Sequence, residues 1–129
     1  MALTAATVAR AQTAAYKVVF DMSSRDTVNQ QALVRELGLI SQGNPGARME
    51  VVIYGQGLPL VTNEASAQHA AVQKLLANKN ISFKVCEMTM KRNNVAKSQL
   101  LPGVQVVPDG IYEIISRQQD GWGYIKVAH

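Results

Sequence analysis

The sequence predicts an α/β protein, a three-layer α/β/α sandwich built around a five-stranded, mainly parallel sheet. Five short apolar runs alternate with polar or amphipathic segments of helical length, which is the pattern of successive β-α-β units. The connections between these segments are short, as is usual when helices cross directly from one strand to the next. At 129 residues the chain is long enough to bury a core and too short for two domains.

The first predicted unit is a strand over residues 16–20 (YKVVF) and a helix over residues 28–42. The strand is rich in β-branched and aromatic residues, and the helix has apolar residues at helical spacing. Either Asp26 or Ser24 is suited to cap the amino end of the helix. The sequence GNPG at residues 43–46 combines two glycines with a proline and predicts its end.

The second unit begins with a strand over residues 49–54 (MEVVIY) and a flexible loop at residues 55–57 (GQG). A second helix is predicted over residues 64–78, with His69 as a solvent-facing or interface side chain within it. The loop between them carries apolar residues that we expect to be exposed and to be covered by self-association. These residues are Leu58, Leu60 and Val61.

The remaining elements complete the alternation. Strands are predicted over residues 81–85, 104–107 and 122–127, and a polar helical segment over residues 88–99. Asp109 is suited to cap a last helix between the final two strands. The inward face of that helix is predicted to consist of Ile111, Ile114 and Ile115.

Composition excludes several classes of function. The net charge of +4 is not concentrated in a long basic run, and aromatic residues make up only 5% of the chain, which argues against nucleic-acid binding. No apolar stretch approaches the roughly 20 residues that cross a bilayer. One cysteine and two histidines distant in sequence do not predict a disulfide within the chain or a metal site. Gly55-x-Gly57 lacks the third glycine of a dinucleotide fingerprint, so no cofactor is predicted.

The amino-terminal segment is predicted to lie outside the folded domain. Residues 1–15 are small and rich in alanine, and Ala9-Arg10-Ala11 has the small-x-small pattern that precedes a signal-peptidase cut. The segment also lacks a basic start and a long apolar stretch. We therefore expect residues 1–15 to be a flexible tail or a signal-peptide remnant, and residues 16–129 to form the domain. A cytoplasmic location is predicted, with a periplasmic or exported protein as the alternative.

Cys86 is the candidate functional residue. It follows the third predicted strand and precedes a helical segment, at the edge of the sheet where α/β proteins bind ligands. A helix amino end and nearby cations both favour a thiolate. Between residues 84 and 97 four basic residues stand against Glu87 as the one acid: Lys84, Lys91, Arg92 and Lys97. From position alone, Cys86 is either such a reactive thiol or a small buried apolar residue.

The sequence from about residue 16 to its end resembles the DsrE/DsrF-like family, in particular its small single-chain members. The resemblance rests on a cysteine after the third strand, Asn93-Asn94, and the LPG turn at residues 101–103. It also rests on Pro108-x-Gly110 and on Gly121-Trp122 followed by Tyr124. It implies a three-layer fold with a five-stranded, mainly parallel sheet. It also implies homo-trimers or homo-hexamers.

The resemblance implies a role for Cys86 in sulfur relay. In such a role the thiol accepts a sulfane sulfur as a persulfide and passes it on, so donor and acceptor proteins are the expected partners. Lys84, Lys91, Arg92 and Asn94 are the candidate binding residues around it. Two other functions stay open: an oligomeric binding or scaffold module for a small anion or a protein partner, and a redox sensor with a single thiol.

Overall fold

The structure is a computed structural model that describes residues 15–127. Its strands are, in chain order, β1 (Lys17–Met22), β2 (Arg48–Ile53), β3 (Ile81–Cys86), β4 (Gln105–Val107) and β5 (Gly123–Lys126). They form one sheet in the order β4-β3-β2-β1-β5, and each neighbouring pair is parallel. The predicted fold class is confirmed, and among the described strands the sheet is parallel throughout.

Four α-helices and two 3₁₀ segments lie between the strands of the described chain. The helices are α1 (Thr27–Gly43), α2 (His69–Leu76), α3 (Glu87–Arg92) and α4 (Gly110–Gln119). The 3₁₀ segments are Gly55–Val61 and Lys97–Gln99. The alternation of strands and helices predicted from the sequence is therefore present.

Two helices begin at the aspartate caps that the sequence predicts. The carboxylate of Asp26 accepts the backbone N–H of Val28 at 2.8 Å, and that of Asp109 accepts the N–H of Ile111 at 3.0 Å. Ser24, the alternative cap of α1, instead accepts the backbone N–H of Asp26 at 3.1 Å. Each carboxylate satisfies N–H groups that have no partner within the helix.

The two faces of the sheet are covered differently. Alternate residues of a strand point to opposite faces. On the first face, strand residues pack with α1 and α2 in the main hydrophobic core, whose members include Phe20, Val51, Phe83, Leu33, Leu37 and Val72. α4 lies across the second face, where it contacts β1, β2 and β3. There Ile114 packs with Val19 and Val52 in a separate small cluster. Helices on both faces give the three layers.

The segment after β2 differs from the sequence-based expectation. In place of a flexible loop there is the 3₁₀ segment Gly55–Val61, which folds back over the carboxyl end of the sheet. Leu58, Leu60 and Val61 are 5%, 0% and 0% exposed and belong to the main core, so the prediction that they form an exposed patch is wrong. Their apolar surface is buried within the chain because the compact 3₁₀ segment turns it toward the first face of the sheet.

The second helix is shorter than the sequence predicts. α2 begins at His69 and not at residue 64, because residues 63–65 and 67–68 form turns and the Ser66 hydroxyl accepts the Gln68 backbone N–H at 3.1 Å. Serine competes with helical hydrogen bonds in this way. His69 is therefore the first residue of the helix, with an exposed side chain.

The helical segment predicted over residues 88–99 is also interrupted. α3 ends at Arg92, where the Asn93 side chain donates to the Thr89 backbone oxygen at 2.8 Å. Asn94 then adopts a left-handed backbone with φ of 55°, which asparagine tolerates better than most residues. The paired asparagines thus end the helix after six residues.

The inward face of α4 is more polar than the sequence predicts. Its inward-facing residues are Gly110, Glu113, Ile114 and Arg117. Ile111 and Ile115, predicted to face inward, are 51% and 42% exposed, and only Ile114 of the three isoleucines is buried. The charged side chains face the sheet because the sheet itself presents charged partners there.

No helix in the described part of the chain is long and apolar enough to span a membrane. The predicted tail or signal-peptide remnant lies outside the described residues except for Ala15, so it stays a prediction.

Candidate functional site

Cys86 lies where the second face of the sheet meets the first turns of two helices. It is the last residue of β3 and the N-cap of α3. Gly110, the first residue of α4, packs against it so closely that a Cβ atom added to Gly110 would lie 3.1 Å from the Cys86 Cβ. The residue is only 5% exposed. The thiol is thus almost covered, between the amino ends of α3 and α4.

Hydrogen-bond donors from these helix ends control the ionisation of the thiol. Burial raises the pKa of Cys86, but the backbone N–H groups of Gly110, Thr89 and Met88 and the Thr89 hydroxyl act in the opposite direction. The donors together outweigh burial, so the pKa is lowered from its ordinary value. A larger fraction of the thiol is therefore ionised at neutral pH than in an unfolded chain.

Lys84 points to the same face of the sheet as Cys86, but its ammonium group is engaged elsewhere. Its Nζ lies 3.0 Å from Glu50 Oε1 and 3.2 Å from Glu113 Oε2. Arg117 joins the same two carboxylates, with its Nε 3.0 Å from Glu50 and 3.3 Å from Glu113. We call these four residues the Glu50 cluster. Lys84 thus serves to neutralise buried acids between the sheet and α4.

The Glu50 cluster also shifts the ionisation of its acids. Glu50 is 1% exposed. Burial, followed by the hydrogen bond with Glu113, raises the pKa of Glu50 to about 7, against the opposing effect of Lys84. The pKa of Glu113 is lowered, first by its hydrogen bond with Glu50 and further by Lys84 and Arg117. Of the two carboxyl groups, Glu50 is therefore the one that binds a proton more readily at neutral pH.

The other candidate binding residues lie on and after α3. Lys91 pairs with Glu87 one turn earlier at 3.7 Å, with both side chains in solvent. Arg92 is exposed and lines a cleft that Thr89 lines and Cys86 does not, and Asn94 is exposed in its left-handed turn. The strongest influences on the Cys86 pKa are burial and hydrogen-bond donors, and not these side chains.

The DsrE/DsrF-like family matches residues 1–127, nearly the whole chain. The chain belongs to this family. Membership suggests a role related to sulfur relay. No curated protein matches the sequence.

Solved structures of similar fold agree with this assignment. MTH1491, a protein of unknown function from Methanobacterium thermoautotrophicum, is 29% identical with a TM-score of 0.80, over 86% of this chain and 98% of that one. BT1422, a conserved protein of unknown function from Bacteroides thetaiotaomicron, is 14% identical with a TM-score of 0.71, over 86% and 94%. The ychN protein from E. coli is 10% identical with a TM-score of 0.68, over 86% and 98%. The last two are similar in fold alone.

Two residues at the thiol of this DsrE/DsrF-like chain were not assigned a role from the sequence. Gly110 allows α4 to approach Cys86, and the backbone N–H and hydroxyl of Thr89, in the first turn of α3, both lower the pKa of the thiol. Gly110 follows the Asp109 cap directly and belongs to the Pro108-x-Gly110 motif, which is a signal that a close approach occurs there. Thr89 has no comparable signal, since a threonine one turn into a helix is common.

A buried carboxylate between two phenols lies further along the second face. Asp21 is 6% exposed, and the Tyr124 hydroxyl donates a hydrogen bond to its Oδ2. This bond, with burial, raises the pKa of Tyr124 to about 12. Burial, with the neighbouring Asp21, also raises the pKa of Tyr54. Both phenols therefore stay protonated at neutral pH.

Replacing Gly110 with alanine is expected to disturb the thiol directly. The new methyl group would lie 3.1 Å from Cys86 Cβ, 3.3 Å from Val52 Cγ1 and 3.6 Å from Tyr54 Cβ. We expect a loss of about 1–3 kcal/mol of stability and a higher Cys86 pKa, because α4 must move its N–H group away. Thiolate absorbance against pH measures the pKa, and urea unfolding measures stability.

Gly46 is the matched control for this substitution. A Cβ atom there would meet nothing within 4 Å. Gly46→Ala should leave the thiol pKa unchanged. If Gly110→Ala also leaves it unchanged, the N–H groups of α4 do not control the thiol.

Proposed function

We propose that this protein is a sulfur carrier in which Cys86 accepts a sulfane sulfur and passes it to an acceptor. The main support is the position of Cys86 at the amino ends of α3 and α4, whose backbone N–H groups, with the Thr89 hydroxyl, lower the Cys86 pKa despite its burial. Membership of the DsrE/DsrF-like family supports the same role. Cys86 is the only cysteine of the chain, so any disulfide with this thiol would be intermolecular.

The transfer is a displacement between sulfur atoms. The Cys86 thiolate attacks the outer sulfur of a donor persulfide and forms a new S–S bond. The S–S bond of the donor breaks, and its electron pair leaves with the donor as a thiolate. The transferred sulfur brings its proton, so the first product is a neutral persulfide on Cys86. Loss of that proton to solvent gives a persulfide anion with the same charge as the original thiolate, which the same N–H groups can stabilise. An acceptor thiolate then attacks the outer sulfur in its turn and releases Cys86.

The burial of Cys86 favours one alternative, the non-catalytic binding or scaffold module. At 5% exposed, the thiol of a scaffold protein would react only when the chain unfolds. A sulfur carrier instead needs Cys86 to meet its donor in the native state. Native iodoacetamide labelling that follows the thiolate fraction supports the carrier, and labelling seen only after denaturation supports the scaffold.

Mass spectrometry tests the proposed function. The protein is incubated with a cysteine desulfurase and cysteine, or with thiosulfate, and its intact mass is measured. We expect the mass of one added sulfur atom on the wild type and none on Cys86→Ser. Arg35→Gln, at an exposed arginine of α1, should take up sulfur as the wild type does. No adduct with any donor, or an adduct that persists in Cys86→Ser, would refute the proposal.

The proposal also includes self-association of the chain and docking of the proteins that donate and accept sulfur. One apolar surface available for a homo-trimer or homo-hexamer is the outer face of α4, with Ile111, Tyr112 and Ile115 exposed. Met88, half exposed at the start of α3, adds an apolar side chain two residues after Cys86. A protein partner that docks on these residues would approach Cys86.

A further inference from the structure

A cleft of about 500 Å³ lies beside Cys86 at the carboxyl ends of β1, β2 and β3. Its walls come from the turn after β1, the 3₁₀ segment after β2, and α3 with the residues that follow it. This is the edge of a parallel sheet at which ligands of α/β proteins bind. Cys86 itself does not line the cleft.

The charge in the cleft is entirely positive. Two arginines, Arg25 and Arg92, line it, and no lining residue is acidic. Neither arginine forms an ion pair with any residue of the described chain, whereas Lys84, Lys91 and Arg117 each pair with a carboxylate. Two guanidinium groups at one concave site are suited to carboxylates, which they bind through paired hydrogen bonds.

The rest of the lining is mainly apolar. Leu58, Pro59 and Val95 provide hydrocarbon surface between the arginines, and the remaining lining groups are uncharged. An inorganic anion would gain nothing from this surface, whereas the hydrocarbon part of an organic anion would. We propose that this cleft binds a small organic anion that carries carboxylates on an apolar body, with Arg25 and Arg92 as its partners. The inference goes beyond the proposed function and does not depend on sulfur transfer.

Thr89 connects the cleft to Cys86. Its hydroxyl oxygen accepts the Gly55 backbone N–H at 3.0 Å, and Thr89, in the first turn of α3, is one of the residues that lower the pKa of Cys86. Gly55 and Thr89 both line the cleft. A bound carboxylate adds negative charge near the sulfur and competes for the Thr89 proton. Occupancy of the cleft therefore disfavours the Cys86 thiolate and slows its alkylation.

Calorimetry with phthalate as the probe tests the binding site. Phthalate has two carboxylates on an apolar ring, phthalamide has the same shape without charge, and sulfate has charge without an apolar body. We expect phthalate to bind one-to-one and at least tenfold more tightly than sulfate, and phthalamide not to bind. Arg25→Gln and Arg92→Gln should each weaken phthalate binding at least tenfold. Arg35→Gln, at an exposed arginine of α1 outside the cleft, should not.

Results that differ from these expectations would overturn part of the inference. Absence of phthalate binding, or equal binding by the Arg25, Arg92 and Arg35 variants, removes the site. Sulfate binding as tight as phthalate removes the organic ligand class. Phthalate should also slow iodoacetamide labelling of Cys86 in the wild type and not in Arg92→Gln, and an unchanged rate in the wild type refutes the link through Thr89. Cys86→Ser should bind phthalate normally, which separates this site from sulfur transfer.

Discussion

Replacing Glu50 with glutamine is expected to stabilise the protein at mildly alkaline pH by as much as about 3 kcal/mol. Burial, with the hydrogen bond to Glu113, raises the pKa of Glu50 from 4.5 to about 7 against the effect of Lys84. A shift of that size means that ionising the folded protein's Glu50 costs about 3 kcal/mol more than ionising it in the unfolded chain. Glutamine has nearly the shape of the protonated carboxyl and carries no charge to desolvate.

The direction of the pH dependence of stability follows from whether the folded or the unfolded state binds the Glu50 proton more tightly. Because the pKa of Glu50 is higher in the folded state, its contribution is complete below pH 4.5 and is lost as the pH rises through about 7. Glu113 behaves in the opposite sense, since its pKa is lowered and its contribution is lost on acidification. The loss of stability between pH 4.5 and about 7 therefore belongs to Glu50.

Urea unfolding of both proteins across this pH range measures the effect. The wild type should lose stability as the pH rises, whereas Glu50→Gln should show a much flatter dependence. Glu36→Gln, at an exposed position of α1, is the control and should change stability by less than about 0.5 kcal/mol. If Glu50→Gln is instead less stable than the wild type at alkaline pH, the ionised carboxylate with Lys84 and Arg117 is the stabilising form.

Replacing Gly57 with alanine is expected to destabilise the protein by about 3 kcal/mol, at the upper end of the usual cost of overpacking. A Cβ atom at this buried position would lie 2.5 Å from the Met22 carbonyl oxygen, 3.1 Å from the Met22 carbonyl carbon and 3.3 Å from Ser23 Cα. These are backbone atoms at the end of β1, so no side-chain rotation can make room. The 3₁₀ segment Gly55–Val61 must move away from the sheet, and part of the cleft wall moves with it.

Gly38 is the matched control within α1. A Cβ atom there meets nothing within 4 Å, so Gly38→Ala should stabilise the helix by roughly 0.5–1 kcal/mol. Thermal unfolding of both variants and the wild type measures these changes in stability. Equal stability of Gly57→Ala and the wild type would show that the 3₁₀ segment can shift without loss of its contacts.

Local patterns in the sequence were sufficient for much of the fold. The alternation of apolar strands and helical segments predicted the parallel sheet, and Asp26 and Asp109 predicted the starts of two helices. Helix lengths were less predictable. A hydrogen bond of the Ser66 hydroxyl delays the start of α2, and the left-handed backbone of Asn94 prevents α3 from continuing. Such local interactions compete with weak helix propensities.

The candidate site was predicted in position and in part of its chemistry. Cys86 at the end of the third strand follows from the order of the elements. The sequence predicted that a helix amino end and nearby cations both lower the pKa of Cys86. The N–H groups at the amino ends of two helices do so, and the cations are not among the causes of the shift. One of those helices begins at Gly110, which is distant from Cys86 in sequence.

The order of strands and helices, two helix caps and the place of Cys86 at the end of β3 follow from local patterns in the sequence. Each depends on periodicity or capping over a few neighbouring residues. Which charges meet depends instead on the packing of distant segments, since Lys84 and Glu113 lie 29 residues apart and Arg117 and Glu50 lie 67 apart. Such pairs depend on strand order and on the face of the sheet that α4 covers. That packing engages Lys84 with buried acids and places the amino end of α4 at the thiol.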